Sequence, residues 1–150
     1  MFDVLIYIFE NYLEDNVDLF PNSHAIRDEL LQAGFALPNV NLAFAWLESL
    51  NENDKRECET QAFRIFSESE KRHLDLDCRN LLIFLEHTGI LSPDHRETVI
   101  DRALVLENEV IYLDELKWIV LMILLTQSDD EVAYSRMEDI VYDLSPAYLH

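Results

Sequence analysis

The sequence has 150 residues, and its 30 acidic side chains against 11 basic ones give a formal net charge of −19. Binding to nucleic acid requires clustered cations, so this charge excludes a direct nucleic-acid-binding protein. Hydrophobic residues make up 49% of the chain and aromatic residues 11%, which excludes intrinsic disorder and is enough for a buried core. The chain has only 2 glycines and 4 prolines, and this scarcity of turn-forming residues indicates long helices.

The first 50 residues contain three helical patterns. Apolar residues at helical spacing predict a first helix over residues 2–15. Ser23 is predicted to cap the N-terminus of a second helix. Gly34 is predicted to end that helix in the left-handed backbone conformation. A third helix is predicted to begin near Asn39. Residues 1–50 are therefore predicted to form a three-helix N-terminal subdomain.

A polar segment separates this subdomain from the rest of the chain. Residues 51–61 have no hydrophobic period and mix charges of both signs, which predicts a linker. Residues 62–150 are predicted to form a helical C-terminal subdomain. Two short β-leaning patches within it, residues 64–66 and 110–112, are candidates for a small two-stranded ribbon.

Capping residues mark the first helix of the C-terminal subdomain. Ser67 and Glu70 have the spacing of a capping box. The predicted helix continues through Leu74 to Leu85 with one apolar stripe. Gly89 is predicted to end it.

Three more helices follow. Ser92 and Pro93 have the pattern of a cap followed by a proline in the first turn. Residues 116–125 are apolar on all sides, which predicts the central helix of this subdomain. Ser128 and Glu131 form a second candidate capping box. The chain is therefore predicted to be an all-α protein, a helical bundle of two packed subdomains with at most one small ribbon.

The sequence contains no recognisable catalytic or cofactor-binding motif. Two glycines are too few for a phosphate-binding loop. His73 and Asp77 have the i, i+4 spacing of neighbours on a helix, but a metal site requires three or four converging ligands, so a solvated surface pair is the prediction. We therefore predict no catalytic, cofactor-binding or metal-binding residue.

Several features predict a cytoplasmic protein that does not insert into a membrane. The longest uncharged apolar run, residues 118–125, is far shorter than the roughly 20 residues that span a bilayer. The N-terminal residues lack the basic leader of an export signal. Cys58 and Cys78 are separated by twenty residues and have no C-x-x-C motif nearby, which favours reduced thiols in the cytosol.

Three arginines in the middle of the chain support an alternative function. Arg79, Arg96 and Arg102 lie among apolar helix faces and are candidates for an anion pocket, as in an enzyme or a protein that binds a small anion. The other interpretation is a set of ion pairs between helices. The acids available for such pairs are Glu86, Glu97 and Asp101.

The acidic residues are concentrated at the two ends of the chain. Residues 1–50 hold eight acids and one base, Arg27, while residues 101–150 hold eleven acids and three bases. This distribution predicts a non-catalytic interaction protein that docks on a basic protein partner, including one that itself binds nucleic acid. The open alternative is that the acids only maintain solubility. The sequence does not decide the oligomeric state.

Short segments along the whole chain resemble the bacterial Smg protein family. The resemblance implies a cytoplasmic bacterial protein from a family with no settled activity, so it assigns no catalytic residue. The segments that carry it are residues 1–5, 33–35, 45–47, 84–86, 96–97, 99–102, 116–118, 121–122 and 149–150.

Overall fold

The computed structural model describes residues 1–13, 23–51, 65–106, 110–127 and 130–142. These residues are helical apart from short connections, and none of them forms a strand, which confirms the all-α fold class. The chain divides into two compact units, Met1–Asn53 and Asp54–His150. Most of the predicted linker, residues 52–61, lies outside the described residues, so the subdomain limits stay a prediction.

The first unit begins with an α-helix that changes its hydrogen-bonding pattern. The helix predicted over residues 2–15 is α-helical only to Ile8 and π-helical after it, and residues 14 and 15 lie outside the described range. The described elements of this unit are α1 (Phe2–Ile8), a π-helical segment (Phe9–Leu13), α2 (Ser23–Gln32) and α3 (Leu37–Asn51).

A tight turn joins α2 to α3. Gly34 has a φ of 99°, a left-handed conformation that a glycine adopts without a steric penalty. The Phe35 N–H donates to the Leu30 carbonyl across this turn, and the Phe35 ring meets Tyr7 edge-on. Because Pro38 is tolerated in a first helical turn, α3 begins at Leu37, two residues before the predicted start at Asn39.

The second unit contains five described helices. Val99, Ile100 and Ala103 of its third helix are buried, as is nearly the whole middle of its fourth. The helices are α4 (Glu68–His73), α5 (Leu76–His87), α6 (Pro93–Val105), α7 (Leu113–Gln127) and α8 (Glu131–Tyr142).

The helix predicted to run from Ser67 to Leu85 is in fact two helices. The capping box is confirmed, since the Glu70 N–H donates to Ser67 Oγ and the Ser67 N–H donates to the Glu70 carboxylate. The chain then leaves the helix at Leu74, which is extended. Asp75 begins α5 by accepting a hydrogen bond from the Cys78 N–H at 2.9 Å.

This break also corrects the prediction for His73 and Asp77. The two residues belong to different helices, α4 and α5, so the i, i+4 geometry of one helix does not apply to them. His73 Nδ1 instead lies 2.9 Å from the Ser69 carbonyl oxygen, one turn back along α4.

The predicted ribbon is wrong as well. Ile111 forms an isolated parallel bridge with Leu74, and the Ile111 N–H donates to the His73 carbonyl at 2.7 Å. Ile65 and Phe66 are in no strand, and residue 64 lies outside the described range. The bridge therefore uses the extended residue between α4 and α5, which a continuous helix would not have made available.

Helices α7 and α8 are both present where the sequence predicts them. α7 buries eight residues from Leu116 to Leu124, as expected for a helix that is apolar on all sides. Asp130 caps α8, because its Oδ1 accepts hydrogen bonds from the N–H groups of Val132 and Ala133. The predicted cap Ser128 lies outside the described residues.

Over the part of the chain described, no helix combines the length and the apolar character needed to cross a membrane.

Candidate functional site

Arg96, one of the three predicted site residues, is buried in an ion cluster between two helices. Its Nη1 donates to both carboxylate oxygens of Glu86, in α5, at 2.6 Å. Its Nη2 lies 2.9 Å and its Nε 3.3 Å from one oxygen of Glu97, in α6. The cluster thus contains Glu86 and Glu97, two of the three acids that the sequence offered as partners, and these two ion pairs are confirmed.

The cluster stabilises the charged form of Arg96. Burial by itself opposes the charge and would lower the pKa, but the hydrogen bonds and charges of Glu86 and Glu97 together outweigh it, so the pKa of Arg96 is raised. All three nitrogens of the guanidinium already donate to carboxylates, and the adjacent negative charges of Glu86 and Glu97 disfavour an external anion at this position.

The other two predicted arginines lie elsewhere on the same helices. Arg79, in α5, donates from Nε to the Asp75 carbonyl at 3.3 Å. Arg102 lies in the last turn of α6, six residues after Arg96. At 3.6 residues per turn that separation places the two side chains about 120° apart around the helix. An anion pocket formed by all three arginines stays a prediction.

The surface of the described residues is more acidic than the composition alone indicates. None of the Asp and Glu residues described is buried. Both buried charged side chains in this part of the chain, Arg96 and Lys117, are basic. Because two cations and no acid are buried, the surface of the described residues has a higher ratio of acids to bases than these residues have as a whole.

Lys117 is the second buried cation. It lies in α7 among the core residues, and its Nζ is 3.8 Å from Asp114 Oδ1, one turn earlier on the same helix. The lysine is 10% exposed while Asp114 is 92% exposed. The stem of the lysine is therefore packed in the core and its charge is directed toward a surface acid.

Arg27 is the single base among the described residues of the first unit, and its side chain packs against α3. Its guanidinium carbon lies 4.6 Å from the centre of the buried Phe44 ring, the geometry of a cation–π contact. Its Nη1 donates to Asn41 Oδ1 at 3.3 Å. These contacts join α2 to α3, and sequence spacing gave no sign of them because the residues are 14 and 17 positions apart.

Glu48 and Asp139 are surface acids at positions that do not favour their helices. Glu48 lies in the last turn of α3 and Asp139 in the last turn of α8, and both are exposed. The C-terminal end of a helix carries a partial negative charge, so an acid there is locally unfavourable. Neither helix has a base in its last turn. These acids are therefore not explained by the stability of their own helices.

Cys78 is a buried free cysteine rather than a reactive one. Its Sγ donates to the Ile111 carbonyl at 3.3 Å. Burial, followed by the neighbouring Asp75 carboxylate, raises the pKa of the thiol to about 12. A thiol with this pKa is a poor nucleophile at neutral pH. Cys58, the other cysteine, lies outside the described residues.

Comparisons with known proteins place the whole chain in one family. The family model described as "Protein of unknown function (DUF494)" matches residues 1–150. A "Protein Smg homolog" from Methylococcus capsulatus is 49% identical over 100% of this chain and 97% of its own length. Homologues of the same name from Thioalkalivibrio sulfidiphilus and Vibrio cholerae are 40% and 39% identical, over 99% and 100% of this chain and 96% and 99% of their own lengths. No solved structure matches the chain.

Proposed function

The chain belongs to the DUF494 family of Smg homologues, and we propose that it is a non-catalytic interaction protein whose acidic surface docks on a basic protein partner. The observation that carries the proposal is the sorting of charge by burial. The described acids are at the surface, while Arg96 and Lys117 are buried and Arg27 is held on Phe44. A surface of this kind attracts cationic proteins and repels anionic ones.

The positions of Glu48 and Asp139 support the proposal over mere solubility. An acid in the last turn of a helix opposes the helix dipole, so the stability of α3 and α8 does not account for these two positions. Proteins often retain locally unfavourable groups at sites of function. We therefore expect these two acids to contribute to partner binding.

The proposal includes a cytoplasmic location, which the free buried thiol of Cys78 supports, because the cytosol keeps cysteines reduced. The alternative function, an enzyme or small-anion-binding protein built on the three arginines, has weaker support. Arg96 already donates to Glu86 and Glu97 from all three of its nitrogens. We therefore do not base the function on this cluster.

The test is affinity capture with the full-length chain from a nuclease-treated bacterial lysate. Captured proteins are identified by mass spectrometry as salt is raised from about 0.1 M to about 1 M, over which the Debye length falls from about 10 Å to about 3 Å. We expect one or a few basic proteins, released progressively by salt. Capture of acidic proteins only, or capture that is indifferent to salt, would overturn the proposal.

Two variants sharpen this test. The triple variant D28N/E48Q/D139N removes three exposed negative charges and should release the partner at lower salt. The matched control is R72Q, which neutralises an exposed base in α4 and should retain the partner at least as well as the wild type. Equal loss in both variants would mean that capture does not depend on the sign of the surface charge.

A further inference from the structure

The outer face of α5 carries two exposed apolar residues that lie in line along the helix. Leu76 is 62% exposed and Ile83 is 52% exposed. They are seven residues apart, which at 3.6 residues per turn leaves them only about 20° apart around the helix. The buried residues of α5 are on its other side; they are Cys78, Leu81, Leu82 and Leu85. The helix therefore has a covered apolar side and a second, uncovered apolar pair.

Two polar residues continue the line of this pair. Asn80 lies between Leu76 and Ile83, His87 is the last residue of the helix, and both are exposed. The resulting spacing of four, three and four residues keeps all four side chains within about 60° around the helix. Two helices that pack side by side use the same spacing. We name these four residues the α5 stripe; it is about 16 Å long.

A base and an acid lie on one flank of the α5 stripe, and each has capacity for a further contact. Arg79 and Glu86 are seven residues apart, so they are on the same flank. The bond from Arg79 to the Asp75 carbonyl uses its Nε and does not use either Nη. Each oxygen of Glu86 accepts one bond from Arg96, and a carboxylate has about four acceptor sites. Glu86 is also 30% exposed.

The two ends of α5 differ in charge as well. Asp77 is an exposed acid in the first turn, and His87 is at the opposite end of the helix. An imidazole N–H can donate to a carboxylate in either charge state of the ring. The order along the helix is thus acid, base, acid, histidine. A copy of α5 that runs in the opposite direction presents the complementary order.

The middle of the α5 stripe fits such an antiparallel copy. A two-fold axis between Asn80 and Ile83 relates the two helices, and it places Leu76 opposite His87 of the second copy. Close to the axis, each Ile83 packs on Ile83 of the second copy. Each Asn80 amide likewise reaches the other Asn80 amide, so this polar group is not left without a partner.

The flanks fit an antiparallel copy too, and they disfavour a parallel one. Antiparallel helices related by a two-fold axis bring the same flank of each copy together, so Arg79 meets Glu86 of the second copy, twice per pair. His87 comes to lie beside Asp77 of the second copy. A parallel copy would instead bring the two Asp77 carboxylates to the same end of the pair, where they repel each other.

The net charge opposes self-association least in this part of the chain. Residues 51–100, which include α5, hold eleven acids and seven bases, whereas residues 1–50 hold eight acids and one base. Two copies still repel each other at long range, since each has a formal net charge of −19. At about 0.15 M salt the Debye length is about 8 Å, so this repulsion is largely screened.

We propose that the α5 stripe is a self-association surface on which two copies of the chain pair through antiparallel α5 helices. The occupant of the stripe is a second copy, because the charges beside the stripe are of both signs and are complementary to themselves. This inference goes beyond the proposed function and does not depend on it, since Glu48 and Asp139 lie outside the α5 stripe.

The first test is sedimentation velocity of the full-length protein. One short helix from each copy makes a small interface, so the protein is compared between about 10 µM and about 1 mM. We expect a shift from monomer to dimer over this range. The dimer fraction should be larger at about 0.15 M salt than at about 0.01 M, because screening weakens the net repulsion.

Two serine variants locate the interface. I83S removes two isoleucines from each dimer and should weaken dimerisation about tenfold. The matched control is L37S in α3, because Leu37 is also 52% exposed but lies in the first unit. L37S should dimerise like the wild type. Circular dichroism verifies that each variant retains the helical content of the wild type.

Cross-linking tests the direction of the helices without altering Ile83. L76C and H87C are made separately in a C58S background, in which the remaining Cys78 is buried. The reagent is a bis-maleimide shorter than the stripe. An antiparallel pair brings residue 76 close to residue 87 of the second copy, so a mixture of the two variants should cross-link. Each variant alone should not, because its two cysteines are then about 16 Å apart along the helices.

Several results would overturn the inference. They are a monomer at every concentration, a dimer that I83S and L37S affect equally, a dimer that dissociates as salt rises, and cross-linking of L76C alone, which indicates a parallel pair. Capture of basic lysate proteins that I83S abolishes would assign the α5 stripe to the basic partner and overturn it too. A monomeric protein that still captures basic proteins would leave the proposed function standing.

Discussion

The guanidinium of Arg96 is buried, and the carboxylates that it contacts belong to two different helices, Glu86 to α5 and Glu97 to α6. Arginine suits this position because its guanidinium presents five N–H donors in a fixed planar fork, whereas the ammonium group of lysine presents three donors from a single nitrogen. The Arg96 cluster therefore connects two helices and also keeps one cation away from the surface.

We expect R96M to lower the free energy of unfolding by about 3 kcal/mol, because removing one partner of a buried ion pair leaves the remaining charges uncompensated. Glu86 and Glu97 are 30% and 25% exposed, so water offsets part of this loss. Urea unfolding measures the effect. R96K is the informative control, and it should recover only part of the stability. A change below about 0.5 kcal/mol for R96M would contradict the structural role of the cluster.

Cys78 makes a pH dependence predictable. The pKa of its thiol is raised from 9.0 to about 12 in the folded protein, so below pH 9 the thiol is protonated in both states and the stability is complete. Above pH 9 the unfolded chain loses this proton while the folded chain keeps it. The unfolded state is then favoured, and the free energy of unfolding falls as pH rises toward 12.

The measurement is urea unfolding of the wild type and of C78A between pH 7 and pH 11. C78A should be less stable at pH 7, by about 1 kcal/mol for the small cavity, but its stability should fall less steeply above pH 9. Tyr12, whose pKa is raised to about 12 by burial and by its hydrogen bond to Glu29, contributes to the slope in both proteins. Parallel curves for the two proteins would show that Cys78 ionises normally.

The ion pairs of Arg96 were predictable from the sequence, but their geometry was not. The spacing of apolar residues placed Arg96, Glu86 and Glu97 on neighbouring helix faces, which was enough to offer the acids as partners. Which of the three predicted arginines is buried depends on how α5 packs on α6. The contact of Arg27 with Phe44 depends in the same way on the packing of α2 against α3, so no local pattern indicated it.

At the scale of the helices, the last turns of α3 and α8 contain acids where bases are expected. We predict that E48Q raises the free energy of unfolding by about 0.3 kcal/mol, because it removes a negative charge from the negative end of the helix dipole. Differential urea unfolding of the variant and the wild type measures this. If Glu48 binds the partner, the same substitution also weakens capture.

The matched control for E48Q is E131Q. Glu131 is the first residue of α8 and is exposed, so its charge complements the positive end of that helix dipole. E131Q removes the same charge and should lower the free energy of unfolding. If both variants become more stable, relief of net repulsion accounts for the result and the helix dipole does not.

The helices were predicted well where the signal was local and poorly where a distant residue intervened. The capping box at Ser67 and the caps at Ser92 and Gly89 were confirmed because each involves residues within one turn. The break at Leu74 was missed because its apolar stripe continued without interruption. The bridge that uses the break involves Ile111, 37 residues away, and local periodicity contains no information on such a contact.

At the scale of the whole molecule, the composition determines the net charge, but it does not determine which charged side chains are buried and which are exposed. Lys117 lies in the most apolar of the described helices, a context that favours burial of its stem, although the sequence analysis did not predict it. Helix α3 has a single charged residue in fifteen, yet Leu37 and Leu42 are exposed on it. Which side of α3 is uncovered required the structure.

The excess of surface acids predicts that salt stabilises this protein. Repulsion among like charges destabilises the folded state, and screening relieves it. Between about 0.01 M and about 0.15 M salt the Debye length falls from about 30 Å to about 8 Å, so we expect the Tm to rise by several degrees over this range. The buried Arg96 cluster is screened much less and does not offset the rise.

Differential scanning calorimetry in sodium chloride and in potassium chloride measures this rise, and equal results in the two salts distinguish screening from the binding of a specific ion. The variant D28N/E48Q/D139N should have a higher Tm at low salt and a smaller rise, because it begins with fewer repulsive charges. R72Q, which adds to the negative excess, should show a larger rise. A Tm that falls with salt in the wild type would mean that attractive surface ion pairs outweigh the repulsion, and it would remove the electrostatic basis for a cationic partner.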